Sequence, residues 1–333
     1  MENLDQLVSG HGGRIDIMAA AFPQAPLPWI DLSTGINPFA YPLPPIPDQA
    51  WIRLPTIADR EACEHAMAEA FGCDPAYCRA VSGTELVIRQ IPSILGGHRV
   101  AIRECSYADH RESWADWGSE LVIMDNPLDA AAEVDAVVLV NPNNPDGQRW
   151  PSDRIETARS KLAARGGWLI LDEAYADLDP DSSMAAKVGR EGFIILRSFG
   201  KFFGLAGLRL GAVLAPPDIL SELDDKLGGW NVSGPALMIG TTAYSDLAWQ
   251  SGMRHKLAQA ALDLSQILKD ADMEEVGGTD LFRFVRVPDA VSLWIKLAEQ
   301  GISVRRFAAD NQHLRIGIPH SQGVDRLARA LSL

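Results

Sequence analysis

Short apolar runs alternate with amphipathic stretches through the middle of the chain. Residues 100–102, 121–124, 136–140, 168–171 and 193–196 are unbroken apolar runs of three to five residues. That is too short for a helix, and it suits strands buried on both faces. Residues 154–165 carry helical spacing between two of these runs. Earlier, residues 57–71 repeat at helical period and stop at Gly72, a natural left-handed end. Such alternation predicts an α/β fold with a mostly parallel sheet covered by helices. After about Leu227 the pattern changes. The stretch Gly228-Gly229-Trp230-Asn231-Val232-Ser233-Gly234-Pro235 reads as a hinge. Beyond it come a long helical run (251–271), a strand (281–287), a helix (290–300) and strands near Val304 and at 314–318. This predicts a smaller mixed αβ domain. Residues 1–45 are irregular and proline-rich, as an arm lying on another surface would be. The expected plan is an arm (1–45), a large domain (46–230) and a small domain (231–333).

Composition narrows the partners. The 333 residues are 47% hydrophobic, ample for a large core, and carry a net charge of −14. That balance argues against nucleic acid or an anionic membrane as partner. No apolar run has the length of a membrane span. Met1-Glu2-Asn3-Leu4-Asp5 is acidic and lacks an apolar segment, so no signal peptide is expected. Cys63, Cys73, Cys78 and Cys105 show no C-x-x-C spacing and read as reduced thiols of a cytoplasmic protein. The seven histidines form no H-E-x-x-H pattern, and no metal is expected.

The candidate chemistry falls where the apolar runs end, the place where parallel sheets bind ligands. Val81-Ser82-Gly83-Thr84 is a small turn opening a helix, and exposed N–H groups there suit a phosphate. Residues 141–147 read Asn-Pro-Asn-Asn-Pro-Asp-Gly. Asp172-Glu173-Ala174-Tyr175 ends another run, and a carboxylate there needs a partner: a metal or a cationic ring nitrogen. No Walker-type loop accompanies it to support the metal. Ser198 to Gly211 then places Lys201 in a glycine-rich loop, with Arg209 eight positions on. A lysine among apolar groups becomes a usable amine nucleophile, and arginine offers a fork of donors to a phosphate. In the small domain Arg305 and Arg315 occupy strand-like positions, where a fork can meet an oxyanion; Arg306 points to the opposite face.

The order of these motifs resembles the fold-type I family of pyridoxal-phosphate enzymes, with the aspartate aminotransferase fold. The resemblance implies that Lys201 tethers the cofactor as a Schiff base and that Asp172 pairs with its ring nitrogen. It implies that Asn144 and Tyr175 bond the phenolic oxygen, and that Gly83, Thr84, Ser198 and Arg209 hold the phosphate. Catalysis would rest on Lys201, Asp172 and Tyr175. The aromatic that stacks on the ring falls at His110, with Tyr107 the other candidate. Two positions depart from the family pattern. Gly200 stands where a hydroxyl is common, leaving Ser198 as the side-chain donor. Arg53-Leu54-Pro55 stands where relatives often carry Arg-Tyr-Pro, so a tyrosine reaching across a dimer is lacking. Within the family, His11-Gly12-Gly13, the stretch from Asp31 to Pro38, Trp230-Asn231-Val232-Ser233 and His313-Leu314-Arg315 resemble decarboxylases of a phosphorylated amino acid; aminotransferases of the histidinol-phosphate type come next. That likeness implies a homodimer whose substrate is held by His11, Gly12, Gly13, Ser33, Thr34, Asn37, Asn144, Arg305 and Arg315.

Overall fold

Residues 10–332 are described by a computed structural model; the acidic N-terminal stretch lies outside the described residues. In chain order the strands are β1 (Ile30–Leu32), β2 (Cys78–Val81), β3 (Arg99–Ile102), β4 (Glu120–Ile123), β5 (Ala136–Val140), β6 (Trp168–Asp172), β7 (Phe193–Ser198), β8 (Gly211–Leu214), β9 (Glu274–Thr279), β10 (Phe282–Arg286), β11 (Ile302–Phe307) and β12 (Asp310–Gly317). The chain divides into two compact units. The larger is Ala40–Asn144 with Gln148–Ser251. The smaller takes residues 10–39, Pro145–Gly147 and residues 252–332.

The larger unit holds a seven-stranded sheet in the order β2-β8-β7-β6-β5-β3-β4. From β7 through β4 every pairing is parallel, and β8 runs antiparallel to both β7 and β2. The five expected runs are the five parallel strands. Alternate residues such as Val138, Ile170, Ile194 and Leu196 bury one face against Val87, Ile88 and Ile91 of the helix Thr84–Leu95 and Leu220 and Leu223 of the helix Pro217–Leu227. Two antiparallel steps make β2 parallel to β7. The carboxyl ends of β2, β7, β6, β5 and β3, and the start of β8, therefore share one edge. Every candidate cofactor residue leaves the sheet there.

The division falls within the helix Leu247–Asp270, not at the glycine-rich stretch near Gly228. The physical reason is the helix Gly234–Ser245. It buries Ala236, Leu237, Ile239, Ala243 and Tyr244. It also approaches the helix Ile57–Phe71 so closely that a Cβ on Gly240 would lie 2.9 Å from Cys63 Sγ. The hinge reading of the 228–235 stretch is corrected accordingly.

The smaller unit holds the sheet β1-β11-β12-β10-β9. Its core joins Leu32, Val304, Leu314 and Ile316 to Trp294 and Leu297 of the helix Ala290–Glu299 and to Leu327 of the helix Ser321–Ser332. The arm is not wholly irregular. Its segment β1 pairs in parallel with β11, Asp31 opposite Ser303, and becomes an edge strand of this sheet. Three residues of strand are too few to carry a sequence period.

Candidate active site

Lys201 stands in the single-turn helix Phe199–Phe202 that follows β7. Three buried rings anchor that turn: Phe199 stacks on Phe203 at 4.4 Å between centroids, and Phe202 meets Phe203 edge-on at 5.2 Å. With the rings directed inward, the lysine lines a cleft at the sheet edge. Gly200 has a steric cause: a Cβ there would lie 2.7 Å from Ala206 Cα, so no hydroxyl-bearing side chain fits this loop. The Ser198 hydroxyl makes no capping bond to the helix it precedes, and Ser198 lines the cleft.

Beside Lys201 the edge of the sheet offers an anion cradle. The helix Thr84–Leu95 starts with no side-chain cap, so its first N–H groups and the positive end of its dipole face outward. Gly83, at φ 78°, precedes it, and a Cβ there would lie 2.9 Å from Arg209 Nη2. Arg209 itself holds a left-handed backbone, φ 52° and ψ 58°, that brings its side chain back over the turn. Glu85, which sequence reasoning passed over, also lines the cleft and lies 3.7 Å from Arg209.

One strand further, Asp172 ends β6 with its carboxylate held at both oxygens. The Ala174 N–H donates to Oδ1 at 3.0 Å, and His110 Nε2 meets Oδ2 at 2.9 Å. His110 is only 1% exposed and lies behind Asp172, away from the cleft lining. The expectation that its imidazole stacks on a cofactor ring is therefore corrected. Tyr107, one helical turn earlier, lines the cleft instead. Its hydroxyl bonds to Asp109, and burial, reinforced by that carboxylate, raises its pKa, so the phenol stays neutral. Asn144 beyond β5 and Tyr175 beyond β6 complete the lining.

The smaller unit gathers most of the other expected residues. His11, Gly12, Ser33 and Arg305 line a second cavity together with Arg14 and Arg306. The Gly13 N–H donates to Ser33 Oγ at 2.8 Å, and Ser33 Oγ in turn donates to Asp31 at 2.6 Å. Gly12 is required by the fit, since a Cβ would lie 2.4 Å from the Ser33 carbonyl oxygen. Arg315 donates to that same carbonyl at 2.6 Å. Arg305 and Arg315 are direct cross-strand partners in β11 and β12. Burial, then the Arg315 and Arg14 charges, lowers the Arg305 pKa to about 10. Gly13, Thr34, Asn37 and Arg315 are not among this cavity's lining residues, and the Asn37 side chain accepts the Phe39 N–H at 2.8 Å in a local turn.

Sequence reasoning also missed a buried ion network beneath the sheet edge. Arg197, next to Ser198 and 2% exposed, donates to Glu173 Oε2 at 3.0 Å, to Ser183 Oγ at 3.0 Å and to Asp177. Its guanidinium lies 4.3 Å from the Phe71 ring centre. A visible signal existed: charged residues follow two apolar runs directly, and such groups need partners when buried.

An amine, an anion cradle, a fixed carboxylate and an aromatic face along one sheet edge match the polar ends of pyridoxal 5'-phosphate, and they define a fold-type I pyridoxal-phosphate enzyme. The chain belongs to the family "Aminotransferase class I and II", which it matches over residues 50–331. It is 36% identical to a threonine-phosphate decarboxylase of Pseudomonas aeruginosa, over 93% of this chain and 92% of that protein. It is 38% identical to a threonine-phosphate decarboxylase of Sinorhizobium sp., over 97% of both. Among solved structures, histidinol-phosphate aminotransferase of Sinorhizobium meliloti in complex with pyridoxal-5'-phosphate superposes with a TM-score of 0.81 at 22% identity, covering 98% of this chain and 95% of that one. No described helix is long and apolar enough to cross a membrane.

Proposed function

We propose that this enzyme decarboxylates L-threonine O-3-phosphate to (R)-1-amino-2-propanol O-2-phosphate, a step of cobalamin biosynthesis, as a cytoplasmic homodimer. The observation that carries the proposal is the Arg305–Arg315 pair. The two guanidinium groups stand opposite each other on adjacent strands, and burial together with the Arg315 charge lowers the Arg305 pKa, so the pair favours anions. Two anionic groups on one ligand relieve both guanidinium ions. Threonine phosphate offers a carboxylate and a phosphate. The two relatives at 36–38% identity support the same substrate. An aminotransferase of the histidinol-phosphate type is the second reading, supported by a relative of that name at 28% identity over 92% of this chain. Histidinol phosphate has no carboxylate and offers the pair a single anionic end.

In this reading Gly83, Thr84, Ser198 and Arg209 hold the cofactor phosphate, Asp172 its ring nitrogen, Asn144 and Tyr175 its phenolic oxygen, and Lys201 Nζ its carbonyl carbon. Bound there, the cofactor supplies an electron sink for a bond broken at the substrate Cα. His110 and the Ala174 N–H keep the Asp172 carboxylate aimed. Arg315 and Arg305, with His11, Gly12, Gly13 and Ser33, fix the substrate at both anionic ends, and that orientation selects loss of CO2 over loss of the α-proton.

Arg315→Lys keeps the charge and loses the fork. It is expected to cost about 2 kcal/mol in kcat/KM, the worth of charged hydrogen bonds. Unchanged kinetics would remove Arg315 from the site. The substrate assignment is tested by comparing CO2 release from threonine phosphate and from threonine: the unphosphorylated amino acid should be far the poorer substrate, and equal rates would count against the phosphate grip. Sedimentation at micromolar concentration should give a dimer; a fully active monomer would contradict the homodimer.

A further inference from the structure

Asn143 directly precedes Asn144, yet its side chain is not part of the cleft lining. It is 1% exposed, and its carboxamide is engaged at both ends. Nδ2–H donates to the Cys105 carbonyl at 2.8 Å, and Oδ1 accepts the Ser106 hydroxyl at 2.8 Å. Its backbone N–H donates to the Gln148 carbonyl at 2.8 Å, which closes the turn that carries Asn144. Cys105 and Ser106 lead directly into Tyr107. β3 and β5 are parallel neighbours, and their following loops leave the same edge of the sheet. One buried side chain therefore joins the loop bearing the Tyr107 ring to the loop bearing the Asn144 amide.

Only a carboxamide satisfies both partners. The Cys105 carbonyl needs a donor and the Ser106 hydroxyl an acceptor. Aspartate would keep the second bond and set an anionic oxygen against the Cys105 carbonyl. An apolar residue would give up both bonds and leave the Cys105 carbonyl and the Ser106 hydroxyl without this partner. We infer that Asn143 is a positioning residue for the cofactor: by tying the two loops it sets the Tyr107 ring and the Asn144 amide relative to each other, and so the pose of bound pyridoxal phosphate. The inference concerns the cofactor alone and is independent of the proposed substrate.

The test uses purified holoenzyme without substrate. Asn143→Asp, Ser106→Ala and Ser106→Thr are compared with wild type by visible circular dichroism per bound cofactor, by the rate of cofactor loss, and by melting of the apoprotein. Asn143→Asp should lower the visible ellipticity and speed cofactor loss about tenfold, consistent with one or two compromised hydrogen bonds. Ser106→Ala should move both in the same direction by less, and Ser106→Thr, which keeps the hydroxyl, should restore them. A change confined to apoprotein melting, with ellipticity and release as in wild type, would reduce Asn143 to a structural role and overturn the inference. Should Asn143→Asp fail to fold, the contrast between Ser106→Ala and Ser106→Thr decides alone: equal ellipticity and release in those two would overturn it.

Discussion

Lys201→Ala is expected to give a folded protein with no turnover and none of the visible absorbance that borohydride bleaches in wild type. The turn that carries the lysine is packed by aromatic rings. Phe199, Phe202 and Phe203 hold it, through ring contacts that the substitution leaves in place. Melting close to that of the wild-type apoprotein should therefore accompany the chemical loss. Cofactor phosphate affinity should persist in part, because Thr84, Ser198 and Arg209 are untouched. The measurement is absorbance before and after borohydride, with the reduced product traced by mass. Covalent cofactor still reducible onto the variant would remove Lys201 from its role.

The largest effect on stability is expected at Arg197. Arg197→Met is close in length and keeps contact with Phe71, but leaves the Glu173 and Asp177 carboxylates without their cation. Burial lowers the arginine's affinity for its proton, and the Asp177 and Glu173 charges more than offset this, so the wild-type guanidinium stays charged. Removing one partner of a buried ion network costs about 3–5 kcal/mol. In a domain of this size that corresponds to about 10 °C or more in melting temperature. Thermal melting of the apoprotein reads this directly, and a shift within the scatter of surface substitutions would show that the network is not a net support. Because Glu173 adjoins Asp172 and Arg197 adjoins Ser198, a folded remnant should also bind the cofactor more weakly.

How much of this was legible in the chain differs by element. The parallel strands β3 and β5 to β7 carry continuous apolar runs because both faces are covered, and the edge strand β4 carries one although it is half exposed, so all five could be read directly. β2 and β8 could not: Cys78-Arg79-Ala80-Val81 and Gly211-Ala212-Val213-Leu214 are short and of mixed or small side chains, and only pairing across the sheet defines them. The helix Gly234–Ser245 was hidden behind Gly234-Pro235, which read as a break although serine capping and an early proline are also a helix start. At the site, the places of Lys201, Asp172, Asn144 and Tyr175 were legible because each follows a readable strand, and that of Arg209 from its spacing to Lys201. The exchange of roles between His110 and Tyr107 was not. They are three residues apart on one helical end, and which ring faces the cleft is settled by the bond from His110 to Asp172, 62 positions away. Asn143 and Arg197 were silent for the same reason, since their partners lie in other loops.

The central claim, that the two anionic ends of the substrate are gripped so that CO2 leaves, is tested most directly in a single turnover. Holoenzyme in excess is mixed with carboxyl-labelled L-threonine O-3-phosphate, and the cofactor spectrum and released label are followed together. One equivalent of labelled CO2, with an amino-alcohol phosphate formed and the cofactor returned to its pyridoxal form, is the predicted result. Stoichiometric pyridoxamine phosphate with no CO2 released would contradict it and make the enzyme an aminotransferase.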